Sequence, residues 1–228
     1  MRRWFVVIAV ILMTISSLAQ DKEKGKDGGS RWVYADFEQL KEGRPVSAHG
    51  GLVLLSGYQA NPAINVSFTN SDKPWPQAPL VVPAAQNHSQ LIAYGFTIPA
   101  PNDWAGVTLE IRGLPDKDGK QVAEDLSAYK YLTLDVQAQG TNAMRAELVS
   151  KDNGLAIGDG QQHSFPFNLG TGMHTYRLDL KKFSQPNWDN VTKVDVKEVL
   201  KKLTAVRFTT YAIPSTGQIV IDNVAFEK

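Results

Sequence analysis

Apolar and polar residues alternate strictly within the stretch DLSAYKYLTLDVQAQG, which covers residues 125–140. Leu132, Leu134 and Val136 fall on one side of an extended chain, and polar residues fall on the other. Alternation of this length, preceded by a turn-forming Asp-Leu-Ser and ended by Gly140, predicts a strand with one buried and one solvated face. We therefore place this strand in the middle of an antiparallel sheet.

Short apolar segments separated by turn signals recur along the rest of the chain. Helical spacing of apolar residues is clearest over 195–203, where Asp195 is a possible N-cap. Many short alternating strands favour an all-β fold, a two-sheet antiparallel β-sandwich of the jelly-roll type with one short helix. The further predicted strands are 32–37, 51–58, 63–68, 91–98, 107–111, 143–149, 162–167, 175–180, 205–211 and 218–226.

Residues 1–19 have the pattern of a secretory signal peptide. Two arginines precede an apolar run, and Ser17-Leu18-Ala19 offers small residues for cleavage. The run is short for a membrane span, which needs about 20 residues, although an uncleaved anchor is the alternative. Residues 20–30 are charged and Gly-rich, which predicts a flexible leader. Residues 31–228 are expected to form a single domain.

Composition limits the environment and the partners of this chain. It has 228 residues, of which 43% are hydrophobic and 21% charged, and its formal net charge is +1. A near-neutral chain lacks the basic surface typical of nucleic-acid binders. The absence of cysteine excludes disulfides, thiolate metal sites and a lipoprotein anchor. Together with the signal peptide, these features predict a bacterial protein that is periplasmic or secreted and has no membrane attachment after cleavage.

Catalytic signatures are absent from the sequence, which contains no HExxH, no Gly-rich phosphate loop and no Gly-x-Ser-x-Gly elbow. We therefore expect a protein that is not an enzyme. Asp135 and Glu147 could face each other across strands, which leaves a glycan-active hydrolase as the last-ranked alternative. The four histidines lack metal-ligand spacing and are expected at surface or loop positions; they are His49, His88, His163 and His174.

The segment 72–85, DKPWPQAPLVVPAA, contains four prolines and Trp75. Proline cannot donate a hydrogen bond to a sheet ladder. The segment is therefore predicted to be a loop outside the sheets, which could cover a polar sheet face or leave it open.

Six short motifs are spread over nearly all of 31–228; they are Asp36-Phe37-Glu38, Gly50-Gly51, Trp104-Ala105-Gly106-Val107, Asp125-Leu126-Ser127-Ala128-Tyr129-Lys130, Thr175-Tyr176-Arg177-Leu178-Asp179-Leu180 and Ile221-Asp222-Asn223-Val224-Ala225-Phe226. Their order resembles that of galactose-binding-like jelly rolls, which include many carbohydrate-binding modules and the complex I intermediate-associated domains. This resemblance implies a galactose-binding-domain-like sandwich that binds carbohydrate. Because the motifs cover nearly all of 31–228, we expect no separate catalytic domain within these residues.

The resemblance also implies a structural calcium ion where the first and last strands meet. Glu38 and Asp222 match the positions of its carboxylate ligands. Carboxylate and backbone oxygens are the ligands that Ca²⁺ requires. The alternative is that Asp222 and Asn223 only form a turn and that Glu38 forms an ordinary ion pair.

A glycan site on a concave sheet face is the second site that the resemblance implies. Sugars present apolar C–H faces, on which aromatic rings stack, and hydroxyl groups, which charged and amide groups bind. Polar residues on three predicted strands would form one continuous surface if these strands share a sheet. The candidate ligand-binding residues are Asp135, Gln137, Arg145, Glu147, Arg207 and Tyr211 on strands, and Trp75, Trp104 and Trp188 in or beside loops. The alternatives are core or loop-anchoring tryptophans and solvated ion pairs.

These features favour a secreted, non-catalytic protein that resembles a carbohydrate-binding module and whose partner is a polysaccharide or another glycan. The alternative is a secreted structural or protein-interaction module that uses the same sandwich to dock on an envelope protein. Nucleic acid is not expected as a partner, because the chain is close to neutral.

Overall fold

The structure, a computed structural model, describes residues 29–38, 40–41, 44–59, 65–68, 81–83, 90–98, 100–101, 103–112, 123–150, 162–186, 193–211 and 214–228. The predicted signal peptide, most of the predicted leader, Trp75, His88 and Trp188 lie outside the described residues. In the part of the chain that the structure describes, no helix is long and apolar enough to span a membrane.

One sheet has seven strands and contains the strand predicted within 125–140. That strand, β9 (Tyr131–Gln139), lies between β12 (His174–Asp179) and β14 (Ser215–Glu227), and both pair with it in antiparallel fashion. The turn before it is closed by Asp125, whose Oδ1 accepts hydrogen bonds from the N–H and the hydroxyl of Ser127. The remaining strands are β7 (Gln90–Ile98) and β1 (Arg31–Ala35) beside β14, and β5 (Asn65–Phe68) and β6 (Val81–Pro83) beside β7.

The second sheet has five antiparallel strands, which are β4 (Leu52–Gln59), β8 (Trp104–Arg112), β10 (Ala143–Val149), β11 (Gln162–Asn168) and β13 (Ala205–Tyr211). They pair in the order β11-β10-β13-β8-β4. A small ribbon of β2 (Leu40–Lys41) and β3 (Arg44–Pro45) completes the described strands. The predicted all-β, two-sheet antiparallel sandwich is confirmed.

The core lies between the two sheets, and alternate residues of the strands in both sheets contribute side chains to it. On β9, Leu132, Leu134 and Val136 are almost completely buried, as their alternation predicts. Each fully buried side chain of this size contributes about 1.5–3 kcal/mol. The five-stranded sheet supplies the opposite half of the core, including Met144, Ala146, Leu148, Val206 and Phe208.

β14 organises the seven-stranded sheet because it pairs along most of its length. One side of β14 pairs with β9, and the other side pairs with β7 in its first half and with β1 in its second half. A β-bulge between Asp222 and Ala225 shifts the register where β7 is replaced by β1. Asn223 adopts a left-handed φ of 50° at this bulge, a conformation that Asn tolerates better than most residues.

The predicted short helix is confirmed in place but is shorter than 195–203. Helix α1 covers Val196–Leu200, and the side chain of Asp195 caps it by accepting a hydrogen bond from the N–H of Lys197 at 2.8 Å. Val199 and Leu200 bury the apolar side of the helix.

The prediction that the whole proline-rich segment 72–85 lies outside the sheets is wrong for Val81–Pro83. These residues form β6, which pairs with β7. Pro83 is the last residue of this short strand, and a missing N–H is tolerated at the end or the edge of a sheet. The rest of the segment lies outside the described residues.

Candidate functional site

The structure divides the predicted glycan surface between two sheets. β9, with Asp135 and Gln137, belongs to the seven-stranded sheet, whereas β10 and β13 belong to the five-stranded sheet. The sheets pack through their apolar faces, so their polar faces point to opposite sides of the sandwich. The condition for one continuous surface, that all three strands share a sheet, is therefore not met, and Asp135 cannot face Glu147 across paired strands.

The outer face of the five-stranded sheet does bring the other predicted strand residues together. Arg145 lies opposite Thr209, and Glu147 lies opposite Arg207. Farther along β13, Tyr211 lies opposite Trp104 of β8. Alternation directs all of these side chains away from the core. We call this set the charged face; it consists of Trp104, Arg145, Glu147, Arg207, Thr209 and Tyr211.

Glu147 is the centre of the hydrogen bonds in the charged face. Its Oε1 accepts a hydrogen bond from Arg145 Nε at 2.6 Å and one from the Thr209 hydroxyl at 3.2 Å. Its Oε2 lies 3.9 Å from Nη1 of Arg207. The same Nη1 donates to Oε1 of Gln162 on the neighbouring strand β11 at 3.5 Å. One carboxylate thus holds two guanidinium groups.

Burial distinguishes this cluster from an ordinary surface ion pair. The side chain of Glu147 is 1% exposed, whereas those of Arg145 and Arg207 are 16% and 11% exposed. Removing charged groups from water costs free energy, and the attraction between the charges often does no more than offset this cost. A protein with apolar residues of similar volume in their place is often as stable. A buried cluster of this kind is therefore weak evidence for a stabilising role.

Tyr211 flanks the cluster on its Arg145 side, and Trp104 follows on the next strand. The guanidinium of Arg145 lies 5.1 Å from the centre of the Tyr211 ring, within the range of a cation–π interaction. Tyr211 and Trp104 are cross-strand partners, and each is half-buried. The charged face therefore combines flat rings and guanidinium groups on one side of the sheet.

Comparison of the sequence with protein-family models and with curated proteins finds no significant match. The structure is similar to the family 11 carbohydrate-binding module from Clostridium thermocellum in complex with a β-1,3-1,4-mixed-linked tetrasaccharide, with a TM-score of 0.57 and 15% identity over 86% of this chain and 95% of that chain. It is also similar to the family 11 module of the Clostridium thermocellum cellulosomal cellulase Lic26A-Cel5E, with a TM-score of 0.57 and 14% identity over 86% and 94% of the two chains.

The chain has the β-sandwich fold of carbohydrate-binding modules. This similarity confirms the fold that the resemblance to galactose-binding-like jelly rolls implied. The alignments span nearly the whole length of the two modules. The similarity therefore concerns complete modules and not a shared fragment.

The outer face of the seven-stranded sheet carries a separate polar network around Asp135. Its two carboxylate oxygens accept hydrogen bonds from the Thr175 hydroxyl at 2.5 Å and from the Asn223 side-chain amide at 2.8 Å. Gln137 lies on the same side of β9 and is half-buried. The two hydrogen bonds of Asp135 connect β9 to its neighbouring strands β12 and β14.

The same outer face contains an exposed counterpart of the charged cluster. Glu227 lies 3.3 Å from Nε of Arg177 and 3.8 Å from Nε of Arg31, and the guanidinium of Arg177 lies 3.3 Å from the centre of the Tyr131 ring. The side chain of Glu227 is 30% exposed. The two sheets thus present the same residue types, buried on one face and solvated on the other.

The predicted calcium ligands lie close in sequence to the pairing of the first and last strands: Glu38 follows the end of β1 by three residues, and Asp222 precedes Val224 of β14 by two. Ala35 at the end of β1 lies opposite Val224. Asp222 is completely buried and accepts a hydrogen bond from the N–H of Asn223, whereas Glu38 is exposed. Among the described residues, no group of three or more His, Cys, Asp or Glu side chains is placed to hold a metal. Calcium there would depend on backbone and water oxygens in addition to Asp222.

The described histidines do not form a site. His49 lies between Trp32 Nε1 and Glu124, and exposed His174 lies 2.6 Å from the Thr171 carbonyl oxygen. His163 is buried in β11, so the expectation of a surface or loop position is wrong for it. Its Nε2 lies 2.8 Å from the carbonyl oxygen of Val194, which gives this ring nitrogen a hydrogen-bond partner.

Polar neighbours of the charged face were not among the predicted site residues. Thr108 of β8 lies opposite Arg207, and Ser164 of β11 lies opposite Glu147. Both are buried. Thr108 alternates with the apolar residues Val107 and Leu109 in the sequence, which is the signal that could have placed it on a polar face. Its neighbours on that face depend on strand order, which the sequence does not display.

Proposed function

We propose that this protein is an exported, non-catalytic glycan-binding module and that the charged face is its binding surface. One observation carries the proposal: a buried cluster of Arg145, Glu147 and Arg207 lies beside the half-buried Tyr211, whose cross-strand partner is the half-buried Trp104. Because a buried ion cluster is often no more stable than apolar residues, a recognition role accounts for it better than a structural one.

The groups of the charged face suit the chemistry of a sugar. Aromatic rings stack on the apolar C–H faces of pyranose rings. Guanidinium groups donate directed hydrogen bonds to oxygen atoms, and a fixed guanidinium loses little entropy when it does so. Arg145 supplies such a group next to Tyr211, so one sugar residue could contact both side chains.

The similarity to family 11 modules supports a polysaccharide as the ligand class. One of these modules was solved with a β-1,3-1,4-mixed-linked tetrasaccharide, so this glycan is the first probe for the chain described here. A glycan array is the second probe because the identity to those modules is only 14–15%. Export rests on the predicted signal peptide, which lies outside the described residues.

The test measures glycan binding by calorimetry or affinity electrophoresis with Tyr211→Ala and Trp104→Ala. Each variant should weaken binding about 10-fold, which corresponds to about 1.4 kcal/mol, because each loses one stacking surface. Tyr131→Ala is the matched control, since Tyr131 also lies beneath an arginine but on the opposite sheet. Its affinity should equal that of the wild type.

Absence of binding to every glycan would contradict the proposal. Equal losses of glycan affinity for Tyr211→Ala and Tyr131→Ala would contradict the assignment of the binding surface to the charged face. A third outcome is that no glycan binds and that the wild type, but not Tyr211→Ala, recovers an envelope protein. This outcome would favour a protein-interaction module instead.

A further inference from the structure

Glu147 is too deeply buried to contact a ligand that approaches from solvent. Its side chain is 1% exposed, and Thr209, which shares its Oε1, is completely buried. The neighbouring arginines are each more than ten times as exposed. The sequence placed Glu147 among the ligand-binding residues, but its burial indicates a different part in recognition.

The contacts of Glu147 fix the orientation of Arg145. The bond from Arg145 Nε to Glu147 Oε1 is short, at 2.6 Å, and a charged hydrogen bond of this kind is about twice as strong as a neutral one. Thr209 holds the same oxygen from the adjacent strand, so the carboxylate itself cannot rotate without losing a partner. The plane of the Arg145 guanidinium, and its place over Tyr211, therefore depend on Glu147.

We infer that Glu147 is a positioning residue: it holds the Arg145 guanidinium beside Tyr211 in the orientation that binds glycan, and it does not touch the glycan itself. This inference rests on the proposed function. It predicts that the effect of Glu147 on binding passes through Arg145.

The first experiment compares Glu147→Gln with the wild type in glycan affinity, circular dichroism and the ¹⁵N NMR signal of the Arg145 Nε–H group. The amide has the shape of the carboxylate but no charge. We expect an unchanged fold, a loss of affinity of about 10-fold and a shifted Arg145 Nε–H signal. Glu227→Gln is the matched control, because it makes the same change in the exposed arginine cluster of the opposite sheet. It should leave the affinity and the Arg145 signal unchanged.

The second experiment repeats Glu147→Gln in an Arg145→Ala background, which forms a double-mutant cycle. If Glu147 acts through Arg145, the second substitution causes no further loss of affinity. An equal loss in both backgrounds would show that Glu147 acts independently of Arg145 and would overturn the inference. Full affinity of Glu147→Gln, with reduced affinity of Arg145→Ala, would overturn it as well.

The outcomes also separate this inference from the proposed function. If Arg145→Ala, Tyr211→Ala and Trp104→Ala all bind glycan as the wild type does, the proposed binding face is wrong and the inference is overturned with it. If Glu147→Gln does not fold, Glu147→Asp takes its place, since it keeps the charge but shortens the side chain. Failure of both variants to fold would assign Glu147 a structural role and overturn the inference.

Discussion

Gly140 lies where the backbone of β9 ends against the start of β14. A Cβ atom at this position would overlap the carbonyl oxygen of Thr216. Gly217, on the other strand, would meet the carbonyl oxygen of Gln139 in the same way. The two glycines therefore allow the strands to approach each other, which a side chain at either position would prevent.

A matched pair of substitutions tests this close approach. Gly140 and Gly172 both have left-handed backbones, with φ of 78° and 85°, but nothing lies within 4 Å of a Cβ at Gly172. Gly140→Ala and Gly172→Ala should share a backbone cost of about 1–2 kcal/mol. Gly140→Ala should lower the free energy of unfolding by about 1–3 kcal/mol more, because its Cβ overlaps the carbonyl oxygen of Thr216. Denaturant unfolding measures both, and equal losses would contradict the close approach.

The bulge of β14 shows how one residue joins two elements. Asn223 adopts a left-handed φ, and its side-chain amide donates to Asp135 of β9 at 2.8 Å. Its backbone N–H donates to Asp222 at 2.7 Å. The bulge therefore has both a backbone requirement and a side-chain requirement.

Two substitutions separate these requirements. Asn223→Gly loses the hydrogen bond to a charged acceptor, at a cost of about 1.5–3 kcal/mol. Asn223→Ala loses the same bond but, unlike the glycine variant, keeps a Cβ in the left-handed region, so it should cost about 1 kcal/mol more than Asn223→Gly. Thermal or urea unfolding should therefore rank the wild type above Asn223→Gly and Asn223→Gly above Asn223→Ala. A reversed order of the two variants would show that the bulge does not strain the backbone.

For the whole molecule, calcium at the junction of the first and last strands stays a prediction. A ligand that binds only the folded state stabilises it, by about 2.7 kcal/mol at 100 times its dissociation constant. Calcium should therefore raise the melting temperature, and a chelator should remove this increment. Asp222→Asn should abolish the increment, whereas Glu38→Gln tests the exposed second carboxylate separately. Identical melts with calcium and with chelator would contradict the prediction.

The whole molecule also presents arginine, glutamate and tyrosine on both outer faces, with different surroundings. Glu147 is buried among its partners, and Glu227 is solvated. An exposed pair contributes about 0–1 kcal/mol, whereas removal of one partner from a buried cluster is costly. The two outer faces carry the same residue types, but only the cluster on the five-stranded sheet is buried. We therefore expect a binding face on the five-stranded sheet and an ordinary solvated surface on the other.

The sequence alone determined which residues point into the core. Leu132, Leu134 and Val136 are buried as their alternation predicts, because the two-residue period of a strand is a local property of the backbone. Burial of an apolar face then restricts the chain to a layered sandwich. The short helix was also predictable, since its cap at Asp195 and its apolar residues are close in sequence.

Only the tertiary structure decided which polar faces lie together. Strand pairing joins residues that are far apart in the chain, and it placed β9 beside β12 and β14 while β10 paired with β11 and β13. The alternation in Asp135 and Gln137 is the same as that in Arg145 and Glu147, so the sequence pattern could not assign them to different sheets. Glu147 takes two of its contacts, Thr209 and Arg207, from the neighbouring strand β13. The candidate site is therefore a property of the assembled sheet, whereas the identity of its inward and outward residues is a property of each strand.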